Sequence, residues 1–159
     1  MKPRINIAHV SPAAYKAVLG LEQYVRSTGI DPRILELIKI RASQINGCAY
    51  CIDMHTKDAR AAGETEQRIY SLDAWRETPF YSEKERAALA LTEAVTLIRE
   101  GHVPDAVFEE ARSHFDEAEL LNLTLAIATI NVWNRLAITF RSVPGEYQPP
   151  KSVHTTAVA

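Results

Sequence analysis

The chain has 159 residues, with 18 lysines and arginines against 20 aspartates and glutamates, a formal balance of −2; 47% of residues are hydrophobic and 24% charged. That balance excludes a strongly basic nucleic-acid binder, and the apolar content excludes a disordered chain while sufficing for one ordinary core. Residues 1–7 mix Lys2, Pro3 and Arg4 and hold no apolar stretch of signal-peptide length, so the expected location is the cytoplasm. The most apolar stretch, 120–132, reads as too short and too polar to span a bilayer, so no membrane partner is expected.

Glycine is scarce and apolar residues recur at helical spacing, which predicts an all-α fold of about six to seven helices. Ser11 and Pro12 open a helix over about 12–27 that would bury Tyr15, Val18, Leu19 and Leu21. Asp31 and Pro32 repeat the signal for a second helix carrying Ile34, Leu35, Leu37, Ile38 and Ile40. It stops at Asn46-Gly47, a pair suited to a left-handed terminus. A third helix follows over about 48–62, with the cysteine motif at its start, and Gly63 closes it. A short helix is expected over 66–74, and Pro79 interrupts the chain. Ser82 and Glu85 form a capping box for a helix through Val95 and Ile98 that ends at Gly101. Helices over 104–112 and 116–140 complete the set, the last apolar around most of its circumference and therefore buried on more than one side. Residues 1–142 read as a single domain. Residues 143–159, with Pro144, Gly145, Pro149 and Pro150, read as an irregular tail.

The two cysteines, Cys48 and Cys51, are too few to staple a secreted domain and stand at the Cys-x-x-Cys spacing of redox pairs and of half zinc sites. A helix start favours a thiolate at Cys48, through unpaired backbone amides and the helix dipole. Cys51 lies one turn along the same face, within reach of a disulfide, and His55 stands four residues further on, where an imidazole can exchange a proton with that sulfur. Glu36 is placed by pattern alone on a solvated face shared with Arg33 and Lys39. Zinc would take Cys48, Cys51 and His55 as three ligands, but a fourth is missing and His9, His102, His114 and His154 stand alone, so neither metal nor cofactor is expected. No strand pattern precedes Cys48, which argues against a thioredoxin-like domain.

Glu36, the run RASQINGCAYCIDMH over 41–55 and the segment 59–63 together resemble the AhpD-like alkylhydroperoxidase and carboxymuconolactone decarboxylase family, as does NVWNR over 131–135. The resemblance implies an AhpD-like helical fold that assembles as homotrimers or hexamers. It implies reduction of a small hydroperoxide by a Cys pair that a dithiol or lipoyl-type reductant restores. By the same resemblance Cys51 is the peroxidatic thiolate, Cys48 resolves its sulfenic acid to a disulfide, and His55 with Glu36 forms the proton relay. Tyr50 stands where the best-known members carry a further relay histidine, and a phenol is a poor base near neutrality. The alternatives are a lyase acting on a muconolactone-type acid, which needs no redox cysteines, and a non-catalytic redox sensor.

Overall fold

The computed structural model describes residues 2–150, and all their regular structure is helical. In chain order the helices are α1 (Ile7–Val10), α2 (Pro12–Ser27), α3 (Pro32–Asn46), α4 (Ala49–Ala61), α5 (Glu66–Ser71), α6 (Glu83–Thr96), α7 (Asp105–His114) and α8 (Glu117–Phe140), with 3-10 turns at Leu72–Glu77 and Ile98–Glu100. The short α1, capped by the Asn6 side chain, precedes the helix expected to be first, so the cysteine motif opens the fourth helix rather than the third.

The helix starts follow from local chemistry. Ser11 Oγ accepts from Ala14 N at 3.4 Å and Asp31 Oδ1 from Arg33 N at 2.8 Å, each followed by proline at the first helical position. Reciprocal capping boxes join Ser82 to Glu85 and Asp116 to Glu119. The helix expected over 66–74 stops at Ser71, because Ala74 at φ −110°, ψ 30° breaks the helical run and the chain continues as 3-10 turns. The helix begun at Ser82 likewise ends at Thr96, before the turn at Ile98–Glu100.

α3 and α8 occupy the middle of the bundle, α3 packing against α4, α6 and α8, and α8 also against α2 and α7. One core joins Val25, Ile34, Ile38, Leu91, Leu123 and Ile127, and a second joins Leu37, Ile40, Leu72, Trp75 and Leu89. Each fully buried aliphatic side chain of these clusters contributes roughly 1.5–3 kcal/mol. On α2 only Val25 is buried; Tyr15, Val18, Leu19 and Leu21 are half-buried, because α2 is covered chiefly by α8 and the short α1. α8 runs beyond the apolar stretch 120–132 at both ends. The whole helix has 24 residues and a window of mean hydropathy 1.3, enough by length and composition to cross a membrane, and 44% of that window is buried within the chain. Leu121, Val132 and Ile138 form its exposed apolar residues.

Residues 143–150 carry no helix but stay on the surface of α4. His154 lies outside the described residues.

Candidate active site

The turn between α3 and α4 builds the sulfur pocket. Gly47 ends α3 in the left-handed region at φ 67°, a conformation cheap only for glycine, and its N–H and that of Cys48 return to Gln44 O and Ser43 O. Cys48 is thereby set at the N-cap of α4, where its sulfur accepts from Cys51 N at 3.4 Å. Cys51 sits one turn inside. The two Sγ atoms stand 2.7 Å apart as free thiols, each 1% exposed, so closing a disulfide requires little movement.

The pair shares its charge unequally. The Cys48 thiol is drawn down to about 7, first by its hydrogen bond with the Cys51 sulfur and then, against burial, by the Cys51 backbone amide, the Asn134 amide and the Tyr50 backbone. Cys51 is pushed up by the same bond, by burial, which disfavours its charge, and by the repelling charge of Cys48. The resting anion therefore sits on Cys48.

A buried amide network lies behind the sulfurs. Asn134, fully buried on α8, donates to Ser43 Oγ at 3.0 Å and accepts from Asn46 Nδ2 at 2.8 Å, and Asn46 Nδ2 also reaches Asn131 Oδ1 at 2.9 Å. Asn131 in turn donates to Thr96 Oγ1 and Ile127 O. Tyr50 and Trp133 pack against the sulfur cluster, and Tyr15 meets Trp133 edge-on with ring centroids 5.7 Å apart. Burial and the neighbouring Cys51 raise the Tyr50 phenol above its ordinary value, so it remains a neutral donor.

Cys51, His55 and Ala59 form the buried stripe of α4, which puts the imidazole one turn beyond the sulfur. Its Nδ1 lies 2.8 Å from Glu36 Oε2, a contact between α3 and α4. Among the described residues no direct hydrogen bond joins His55 to either sulfur. The expectation of a solvated Glu36 and Lys39 is overturned. Glu36 is 7% exposed and Lys39 fully buried, because α3 is enclosed by α4, α6 and α8; Arg33 alone of the three stays exposed. Lys39 Nζ pairs with Glu22 Oε1 at 2.5 Å and lies 4.0 Å from Glu36 Oε1, while Arg26 reaches Glu22 at 2.8 Å and Glu36 at 3.8 Å. Burial alone would raise the Glu36 carboxyl, but the hydrogen bond and charge of His55, then Lys39 and Arg26, hold it below the usual 4.5.

Glu36, His55 and Asp58 also bring donor atoms within 4.8 Å of one another, the spacing of a metal-ligand group. Lys39, Arg26 and His55 already balance Glu36, and the Tyr147 hydroxyl occupies Asp58, so the arrangement fits a charge-compensated cluster better than a cation site. Every buried side-chain nitrogen and oxygen among the described residues has a partner. The structure thus joins Cys48 to Cys51 and His55 to Glu36, with Cys51 and His55 on one buried stripe of α4. Sequence reasoning missed Glu22, Arg26, Lys39, Ser43, Asn134, Asp58 and Tyr147. The signal for Asn134 was its place inside a helix with no polar face; Lys39 carried no such signal.

The sequence profile of the carboxymuconolactone decarboxylase family matches residues 12–94, which hold both cysteines, His55 and Glu36. The chain belongs to that family. A relative within reach of the whole domain is YdfG of Bacillus subtilis (strain 168), an uncharacterized protein 49% identical over 138 residues, covering 87% of this chain and 94% of YdfG. A solved structure from Agrobacterium tumefaciens, a protein of unknown function suggested to be the antioxidant defence protein AhpD, superposes with a TM-score of 0.89 at 51% identity, covering 92% of this chain and all of that one. An uncharacterized peroxidase-related protein from Ralstonia eutropha JMP134 with an alkylhydroperoxidase AhpD core gives a TM-score of 0.77 at 22% identity, covering 88% of this chain and 74% of that one; this is a likeness of fold. The all-helical architecture of this family member is therefore AhpD-like.

Proposed function

We propose that the protein is a thiol-dependent peroxidase that cycles the Cys48 and Cys51 pair between dithiol and disulfide. One observation carries the reading: two free thiols 2.7 Å apart at a helix N-terminus, one turn from a buried His55 bonded to Glu36. A packing role for the cysteines would need neither the charge on Cys48 nor the carboxylate on His55.

The chemistry follows from that arrangement. The Cys51 proton crosses to the Cys48 thiolate, which leaves the single negative charge of the pair on Cys51. The Cys51 thiolate attacks the terminal peroxide oxygen; the S–O bond forms, the O–O bond breaks, and the departing alkoxide takes the proton that neutral His55, oriented by Glu36, relays from Cys48 through solvent, and leaves as an alcohol. The Cys48 thiolate then attacks the Cys51 sulfenic sulfur, forming S–S and expelling hydroxide, which is protonated to water. Two electrons pass from the dithiol to the peroxide. An external dithiol of the dihydrolipoamide class restores the pair by exchange. With Tyr50 held neutral, proton transfer falls on Glu36 and His55 alone.

The test is consumption of cumene hydroperoxide with dihydrolipoamide by the full chain. Wild-type turnover that Cys51→Ser abolishes is expected. Undiminished turnover in that variant removes the assignment. Peroxide oxidation of the pair without turnover would favour a sensor, and decarboxylation of a muconolactone-type acid by Cys48→Ser/Cys51→Ser would favour a lyase.

A further inference from the structure

The segment after α8 is fastened across the outer face of α4. Gly145 N donates to Asp53 Oδ2 at 2.9 Å, and Lys57 Nζ donates to Gly145 O at 3.2 Å and Tyr147 O at 3.0 Å. Asp53 and Lys57 also pair with each other at 2.9 Å, so two charged residues one turn apart grip three backbone groups of a segment without helix. The grip delivers Tyr147 to Asp58, whose Oδ1 accepts from the phenol at 2.6 Å.

Asp58 gives that contact its consequence. It lies three residues after His55 on α4, and its carboxylate comes within 4.8 Å of both the His55 ring nitrogen and the Glu36 carboxylate. The groups that act on His55 can be named element by element. α3 supplies Glu36 with Lys39 beside it, α2 supplies Glu22 and Arg26, α4 supplies Asp58 and Cys51, and the terminal segment supplies Tyr147. Of these, Asp58 alone has its carboxylate held by a residue outside the helical bundle.

We propose that Tyr147 is a positioning residue for the Glu36–His55 relay, acting through Asp58: its hydroxyl engages the carboxylate and so limits the negative charge that His55 feels. A carboxylate oxygen already accepting an O–H bond competes less for a neighbouring imidazole proton. Burial and the bond to Asp58 raise the Tyr147 phenol, which keeps it a donor through neutral pH. The catalytic consequence rests on the peroxidase reading; the effect on His55 does not.

The experiment is an NMR titration of the imidazoles in the reduced full chain, with His55 assigned by its loss in His55→Asn. Tyr147→Phe frees Asp58 to stabilise the imidazolium and should raise the His55 midpoint by about half a pH unit or more; Asp58→Asn removes the charge and should lower it by a similar amount. The acid limb of hydroperoxide turnover should move in the same two directions, since neutral His55 takes the proton. Midpoints unmoved in both variants, or moved the same way, would overturn the proposal, even with a lowered melting temperature, since that marks mere fastening. Opposite shifts of His55 in a protein without peroxide turnover would sink the peroxidase reading and leave this one standing.

Discussion

His55 Nδ1 and Glu36 Oε2 lie 2.8 Å apart across the interface of α3 and α4, the imidazole 2% and the carboxylate residue 7% exposed. The contact fixes the ring on the sulfur side of α4 and gives it a partner for the charge it acquires. Glu36→Gln keeps a hydrogen bond but removes the charge, so hydroperoxide turnover should collapse while the fold survives. It should cost about 1–3 kcal/mol of stability at neutral pH. Because Glu36 is held below its usual 4.5, its stabilisation is full above that value and is lost as the pH falls through the folded value. Denaturant melts across pH should therefore show the deficit of the variant shrinking on acidification. A deficit that is constant with pH would mean the carboxylate is not ionised in the fold.

The unequal sharing of one proton between the sulfurs predicts opposite responses to removing either. Without its hydrogen bond to the Cys51 sulfur, Cys48 in Cys51→Ala should titrate well above 7, toward the ordinary thiol range of about 8.5. Cys51 in Cys48→Ala loses the repelling thiolate and should fall. Ultraviolet thiolate absorbance against pH reads both. A low value on Cys51 with an ordinary Cys48 would reverse the assignment of the resting charge.

Much of this was legible along the chain, and the division follows the range of the interactions. Ser11, Asp31, Ser82 and Asp116 announce helix starts because a cap acts over three residues, and Cys48, Cys51 and His55 share a face because helical spacing is local. Glu36 was recognised only by resemblance, since its partner is supplied by the antiparallel packing of the next helix. Lys39 was misplaced because charge on a helix ordinarily marks solvent, and only the crowding of α3 by three neighbours turns it inward toward Glu22. Asn134 bonds Ser43 from 91 residues away and Tyr147 bonds Asp58 from 89, separations at which no local pattern speaks.

Asn134 is the side chain through which α8 acts on the sulfurs. Asn134→Ala removes its bonds to Ser43 and Asn46 and the amide that lowers both thiols. About 1–3 kcal/mol of stability should be lost, and the titration of Cys48 should move to higher pH. Asn131→Ala, which breaks the same network at Thr96 and Asn46 without an amide at the sulfurs, should cost comparable stability and leave the thiol titration in place. Equal movement in both variants would mean that the network tunes the thiols only by holding the helices together.

Lys39 tests the electrostatic footing of the relay from the opposite side. Fully buried between Glu22 and Glu36, it offsets two carboxylates that burial would otherwise neutralise. Lys39→Met should destabilise by about 3–5 kcal/mol, since it strands buried negative charge. The loss should lessen on acidification, because protonating Glu22 or Glu36 relieves it. Glu22→Gln/Lys39→Met removes the directly bonded pair together and should recover a large part of the stability, leaving Arg26 and His55 to balance Glu36. Chemical unfolding of the two single variants and the double variant gives the coupling energy. Additive losses would show that Lys39 stabilises by its packed methylenes and not by its charge.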